Sequence, residues 1–284
     1  MAERPDLEYL VPLLAAELIG RTVTDLRVRR PVVLRLAVPG TPAEAVAGRP
    51  ITAVVRRGHF VLFTLGDDRE LVVSPMLAGR FALDDAGAGP PADLALAFAL
   101  DDGRELRYRD DVQMGKVYVI PRGAHAQVPG LAHIGVDVLD ARRFTRAAFR
   151  ALARARRDQA KVFLMDKAAL DSFGNAYADE ALFCAGVHPK ARVAALTDTE
   201  LDRLHDAMVA VLSEARATLA KRRPPIDVKL RDFLQIRNRH GEPCPRCGAK
   251  IRRAGVHGHD AFFCPTCQPE KGRGGIVDWR KTEK

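Results

Sequence analysis

No uncharged apolar run in this chain approaches the ~18 residues that a membrane-spanning helix needs, so a membrane-embedded protein is not expected. The start, MAERPDLEYL, has no basic leader and no unbroken apolar core; it carries acids at Glu3, Asp6 and Glu8. A secretory signal has the opposite pattern, and the expectation is a cytoplasmic protein. Internal repeats and low-complexity tracts are also missing, which argues against a solenoid or a tail of biased composition. What remains is ordinary globular composition, 47% hydrophobic and 29% charged, over 284 residues. That length suggests about two domains, each with a real core.

Net charge is absent from most of the chain. Residues 1–220 hold 29 residues of each sign, whereas 221–284 hold 16 Lys and Arg against 7 Asp and Glu. The whole excess of +9 therefore sits on the last 64 residues. Such a patch attracts polyanions through Coulomb force and counterion release, nucleic acid foremost. A solvated basic tail is the other reading of the same charges.

Cysteine is scarce but placed with a pattern. Four of the five form Cys244-x2-Cys247 and Cys264-x2-Cys267, 16 residues apart. A two-residue spacing lets both thiolates of a knuckle reach one tetrahedral ion, and two knuckles close a structural zinc site. Two disulfides are the alternative, and they belong to exported chains. Pro245, Gly248 and Pro265 supply tight turns, and Ile251, Phe262 and Phe263 read as short strand residues around a ribbon. Cys184, far away in a helical pattern, is expected to be a buried core thiol.

Residues 5–19 place apolar side chains at helical spacing, with Pro12 an awkward interior residue. From Arg21 to Ile120 the texture turns to β-branched and alternating runs (TVTDLRVRR, VVLRLAV, ITAVVRR, FVLFTL, ELVVS, LALAFAL, KVYVI) punctuated by Gly and Asp. That pattern predicts a β-sandwich or barrel. AGAGPPAD at 86–93 reads as a loop and 121–139 as a linker. Helical texture dominates from Thr145 to Lys221, and Thr197 with Glu200 forms a capping-box pattern. Between the helical segments, DSFGNAYADEALFCAGVHPKAR is interrupted by turns at Gly174–Asn175 and Gly186–Pro189.

This order of elements, carried by FGNAYADEALFCAGVHP, CPRCGAKI leading to FFCPTCQ, RRGHFVLF and IGVDVLD, resembles the formamidopyrimidine-DNA glycosylase and endonuclease VIII family over essentially the whole chain. The resemblance implies an α+β multidomain fold. Its parts are an N-terminal helix with a β-sandwich (1–122), a linker (123–139), a helix–two-turn–helix domain (140–225), a zinc ribbon (236–270) and a basic tail (271–284). It also implies base-excision repair: a monomer that binds double-stranded DNA with damaged or abasic sites, removes the base and cuts the backbone by β-elimination. Family enzymes attack the sugar C1′ with an N-terminal proline amine, and the adjacent glutamate serves as acid and base. The target nucleotide is first flipped out of the stack.

ERPDLE aligns with the family's Glu-Leu-Pro-Glu-Val-Glu, which puts Ala2 at the proline position and Glu3 at the glutamate. Removal of Met1 would expose a primary α-amine at Ala2, with an ordinary pKa of about 8 and the ability to form a Schiff base. If Met1 stays, Glu3 is one more surface acid. The family's phosphate clamp combines a strand lysine, a loop asparagine and a ribbon arginine. Asn175 is retained, while His59 and His259 occupy the two cationic positions. Asn175 also suits a plain turn. If both histidines touch phosphate, DNA affinity is expected to rise from pH 8 to pH 6. Leu77 falls at the wedge position, and Gln113 and Met114 fall where one branch of the family fills the void left by the extruded base. By composition alone, Leu77 and Met114 are core residues. The resemblance leaves a second function class open, a non-catalytic damage- or structure-specific DNA-binding protein on the same scaffold. RNA binding through the ribbon is a weaker third.

Overall fold

The computed structural model describes residues 3–171 and 173–270. Ala2 and the basic tail 271–284 lie outside the described residues. Helix α1 (Arg4–Leu18) starts the chain, with Asp6 accepting the Glu3 amide at 2.8 Å and Pro5 in the first turn, where its missing N–H costs nothing. Leu7, Leu10, Val11, Leu14 and Leu18 share its buried face. Pro12 does stay inside the helix, on its exposed side.

Beyond α1 come β1 (Thr22–Val28), β2 (Leu34–Leu36), the short α2 (Pro42–Val46), β3 (Arg49–Arg57), β4 (Phe60–Leu65) and β5 (Arg69–Ser74). They are followed by β6 (Arg80–Asp85), β7 (Leu94–Leu100), β8 (Arg104–Arg109) and β9 (Lys116–Pro121). The strands run in the order β2-β9-β5-β4-β3-β1-β7-β8-β6. β1 and β3 share only the pairs Thr22–Pro50 and Val23–Arg49, so this seam is the corner at which the array folds into a β-sandwich. Val61, Phe63, Phe81, Leu96, Phe98 and Tyr108 fill the interior beneath α1.

Strands β6 and β8 are absent from the apolar runs picked out in the sequence. RELRYR lacks a continuous apolar run: Leu106 and Tyr108 alternate with charged residues, and both faces are buried, one of them by charge. Glu105 and Arg107 are 2% and 3% exposed. Arg107 Nε donates to Glu105 at 2.9 Å, Arg27 pairs with the same carboxylate, and Arg107 also donates to Ala88 O at 2.6 Å in the 86–93 loop.

The linker carries β10 (Val136–Asp137), which pairs in parallel with β11 (Leu170–Asp171) of the helical domain. That domain holds α3 (Arg146–Arg154), α4 (Ala160–Met165), α5 (Asn175–Ala185) and α6 (Asp198–Arg222). The helical texture read from Thr145 onward breaks between α3 and α4, where Gln159 bridges Arg192 and the Ala160 amide donates to Ala191 O at 2.7 Å. Thr197 and Glu200 form the capping box of α6 as expected, at 2.9 and 3.3 Å. The ribbon hairpin, β12 (Arg252–Val256) and β13 (His259–Phe263), packs Ile251 and Phe262 against Phe183 of α5. Cys184 is exposed on the same helix, correcting the expectation of a core thiol: Ala181, Leu182, Phe183 and Ala185 take the buried positions around it.

Candidate active site at the domain junction

The start of α5 is where the domains converge. Its first turn presents free amides, and a carboxylate from another domain takes them. Glu3 accepts from Gly174 N at 2.9 Å, Ala176 N at 2.9 Å and Tyr177 N at 3.2 Å. Glu3 is 4% exposed, so these charge-assisted bonds lie away from competing water. The chain start, α1 and the helical domain are thereby fixed to one another at one carboxylate.

A second set of charges braces the same junction. Arg4 Nη2 donates to Asp137 at 2.9 Å, and Arg56 Nη1 donates to Asp171 at 2.9 Å and to Gly58 O at 2.6 Å. The last bond shapes the β3–β4 turn that carries His59. Gly58 sits there at φ +58°, and a side chain on it would meet Ile134 Cδ1 at 2.8 Å. His59 is thus held against the junction. Its Nδ1 is buried without a hydrogen-bond partner among the described residues, and burial, with nearby Lys167, pushes its pKa down to about 4 against a smaller pull from Asp171. The ring is neutral from pH 8 to pH 6. Without DNA, His59 therefore carries no charge in the range over which the expected pH-dependent grip would develop.

Asn175 is the first residue of α5, and its Oδ1 is likewise buried, with no hydrogen-bond partner among the described residues. Its main chain is tied to the ribbon through Lys161, which is 0% exposed. Lys161 Nζ reaches Asp179 at 2.5 Å, Asn175 O at 3.5 Å and Asp260 O. Arg237 Nη1 completes the cluster, donating to Asp179 at 2.8 Å and to Asp260 O at 3.2 Å. His259 is exposed and directly precedes Asp260, whose carbonyl this cluster ties to Lys161 and Arg237. The next carboxylate of the motif, Glu180, accepts the amides of Gln235, Ile236 and Arg237 at 2.8, 2.9 and 2.9 Å. The motif's Asp179 and Glu180 are thus scaffold residues that seat the ribbon.

Leu77, Gln113 and Met114 lie on two loops of the sandwich, β5–β6 and β8–β9. Tyr108 holds the bases of these loops together. A Cβ on Gly79 or Gly115 would fall 2.2 or 1.8 Å from its hydroxyl, so both loops close onto it through glycine. Asp110 accepts Gln113 N at 2.9 Å and Gly115 N at 2.7 Å, and Gln113 adopts φ +58°. Beyond this base Leu77 is 54% and Met114 45% exposed, with Val112 beside them at 48%. Composition alone would have buried Leu77 and Met114; the structure sets them outward, unpacked, on neighbouring loops.

The segment after α6 links these loops to the Glu3 site, and sequence reading left it without a role. Lys229 Nζ donates to Leu77 O at 3.4 Å, and Arg231 Nη1 donates to Asp6 at 2.8 Å while its guanidinium lies 5.2 Å above the Tyr177 ring. The basic excess after residue 220 was the available signal, though nothing in it singled out these two residues.

The four ribbon cysteines bring their sulfurs within 4.8 Å of one another. Cys244–Cys267 and Cys247–Cys264 are 3.9 and 3.4 Å apart. Tetrahedral zinc with Zn–S bonds of about 2.3 Å separates its sulfurs by about 3.8 Å, so the donor set fits one structural zinc ion.

A β-sandwich and a helix–two-turn–helix domain meeting at a buried glutamate, with a four-cysteine ribbon seated on the helix that this glutamate caps, define a class: the multidomain glycosylases of DNA. Three family models cover the chain in that order. They describe the formamidopyrimidine-DNA glycosylase N-terminal domain (residues 1–117), its H2TH domain (134–222) and the zinc finger found in FPG and IleRS (241–269). The formamidopyrimidine-DNA glycosylase of Pelotomaculum thermopropionicum is 35% identical over 280 residues, spanning 95% of this chain and all of that protein. The crystal structure of the MutM (Fpg) protein from Thermus thermophilus superposes with a TM-score of 0.81 at 30% identity, over 95% of this chain and all of that one. A Lactococcus lactis Fpg complex with DNA containing an abasic site matches with a TM-score of 0.82 at 25% identity, over 94% and 99%. The chain belongs to the formamidopyrimidine-DNA glycosylase family.

Proposed function

We propose that this protein is a DNA glycosylase of base-excision repair with abasic-site lyase activity, acting as a monomer on damaged or abasic double-stranded DNA. The observation that carries the reading is the Glu3 carboxylate, buried at the domain junction and oriented by three amides of α5. Glu3 directly follows residue 2, so the α-amine of a chain that begins at Ala2 is covalently tethered beside it. The neutral amine attacks C1′ of the extruded nucleotide, the C1′–base bond breaks and the base leaves with a proton; the C1′–O4′ bond then opens onto a proton handled by Glu3. The resulting iminium draws electrons from the C2′–H bond, and the 3′-phosphate leaves by β-elimination.

Asn175 and His259 are assigned to the phosphates flanking that nucleotide, and His59 to the same clamp as a neutral hydrogen-bonding group. Leu77 and Met114 fill the space left in the stack, and Gln113 faces the orphaned base. The outward exposure of Leu77 and Met114 supports this reading, since no packing among the described residues explains it. Zinc holds the ribbon hairpin, and with it His259, against α5.

The test is borohydride trapping of the mass-verified protein on an abasic-site duplex. A covalent protein–DNA adduct supports the assignment. Tight binding without an adduct from a chain beginning at Ala2 would overturn the chemistry and leave a reader of DNA damage, the reading favoured by the two histidines in place of permanent cations.

A further inference from the structure

Lys167 is a titratable group of the junction that the mechanism above leaves unused. It follows the C-cap of α4, and its main-chain oxygen accepts the Gly135 amide at 2.8 Å, which holds it against the linker. Its Nζ donates to the Phe173 carbonyl oxygen. That carbonyl belongs to the same peptide unit as the Gly174 N–H, which donates to Glu3 Oε2 at 2.9 Å. The lysine amine and the Glu3 carboxylate therefore grip opposite edges of one peptide group. Two hydrogen bonds and one peptide width put them about 8 Å apart at most.

We infer that Lys167 is a second amine of this site and forms an imine with the aldehyde of an abasic sugar. The inference rests on the proposed abasic-site reading, since it places the same substrate beside Glu3. A nucleophile here must be neutral for part of the time, and its surroundings favour that. Burial lowers the pKa of Lys167, against opposing pulls from Glu3 at the start of α1, Asp171 of β11 and Asp166 at the α4 C-cap. His59, from the β3–β4 turn, adds no positive charge above pH 6. In the reaction the neutral Nζ adds to C1′ of the ring-opened sugar, and the carbinolamine loses water to give a protonated imine. A base removes the C2′ proton, the C–H electrons form the C2′–C3′ double bond, and the C3′–O bond breaks to release the phosphate. Water then hydrolyses the imine and returns the lysine amine.

The experiment is borohydride reduction of the full-length protein on an abasic duplex, followed by digestion and mass mapping of the modified residue. The expected result is a reduced sugar on the peptide that carries Lys167. Lys167→Arg, which keeps the charge and can still donate to Phe173 O, should lose that adduct at least tenfold. Its α-amine adduct and its affinity for the duplex should remain. Mapping of the unmodified chain needs no variant, so a folding defect in Lys167→Arg leaves the test intact. An adduct confined to the α-amine, or spread over exposed lysines such as Lys221, would overturn the role of Lys167 alone. DNA bound with no adduct on any amine would overturn the lyase reading as well.

Discussion

Acidification from pH 7 to pH 5 should strip about 2 kcal/mol of folding stability from this protein through His59 alone. The folded ring has a pKa of about 4, while the unfolded chain keeps the ordinary value near 6.5. A depressed histidine pKa means that the unfolded state binds the proton first. Stability is therefore intact above pH 6.5, falls as the pH drops through the window between 6.5 and 4, and levels off below it at a loss of about 3 kcal/mol. Carboxylates and zinc thiolates also titrate in acid, so the assay is a difference: urea unfolding of wild type and His59→Gln at several pH values. The glutamine variant has no proton to gain, and its stability should fall by about 2 kcal/mol less between pH 7 and 5. Parallel pH profiles would refute the burial argument, and with it the claim that the clamp position holds a neutral group in neutral solution.

Three other outcomes follow from the geometry. Gly115→Ala forces a methyl into the Tyr108 hydroxyl and should cost about 3 kcal/mol or more, read as a lower denaturation midpoint with unchanged slope. Leu77→Ala and Met114→Ala remove exposed side chains, so stability should stay within about 0.5 kcal/mol while excision or abasic-DNA affinity drops, a pairing that calorimetry and binding titration separate. Stripping zinc with a chelator should unseat the ribbon and weaken DNA binding at least tenfold, while the thermal transition of the β-sandwich, which shares no core residue with the ribbon among the described residues, stays in place.

The zinc knuckles, the α6 cap, the α5 motif and most strands were legible because each rests on local spacing. RELRYR was not, since its buried Glu105–Arg107 pair looks like surface charge until Arg27 and the 86–93 loop are brought against it. The same limit hid Lys161, Asp179 and Arg237, which mean something only where Lys161 and Arg237 meet at Asp260 O and both pair with Asp179. Glu3 could be aligned from sequence, but its holding by α5 spans more than 170 positions of chain. The neutrality of His59 is likewise a property of its surroundings, not of its residue type. Cys184 failed for a plainer reason: on a short helix buried on most sides, one position still faces water.

The most direct test of the central claim, that Glu3 and the α5 N-terminus form a working site for DNA chemistry, is strand scission of an abasic-site duplex by wild type and Glu3→Gln at matched DNA occupancy. Wild type should leave the unsaturated 3′ end of β-elimination, and Glu3→Gln, which keeps an oxygen for the α5 amides, should cut at least a hundredfold more slowly. Equal rates for the two proteins, or no scission above buffer by a bound wild type that begins at Ala2, would contradict it.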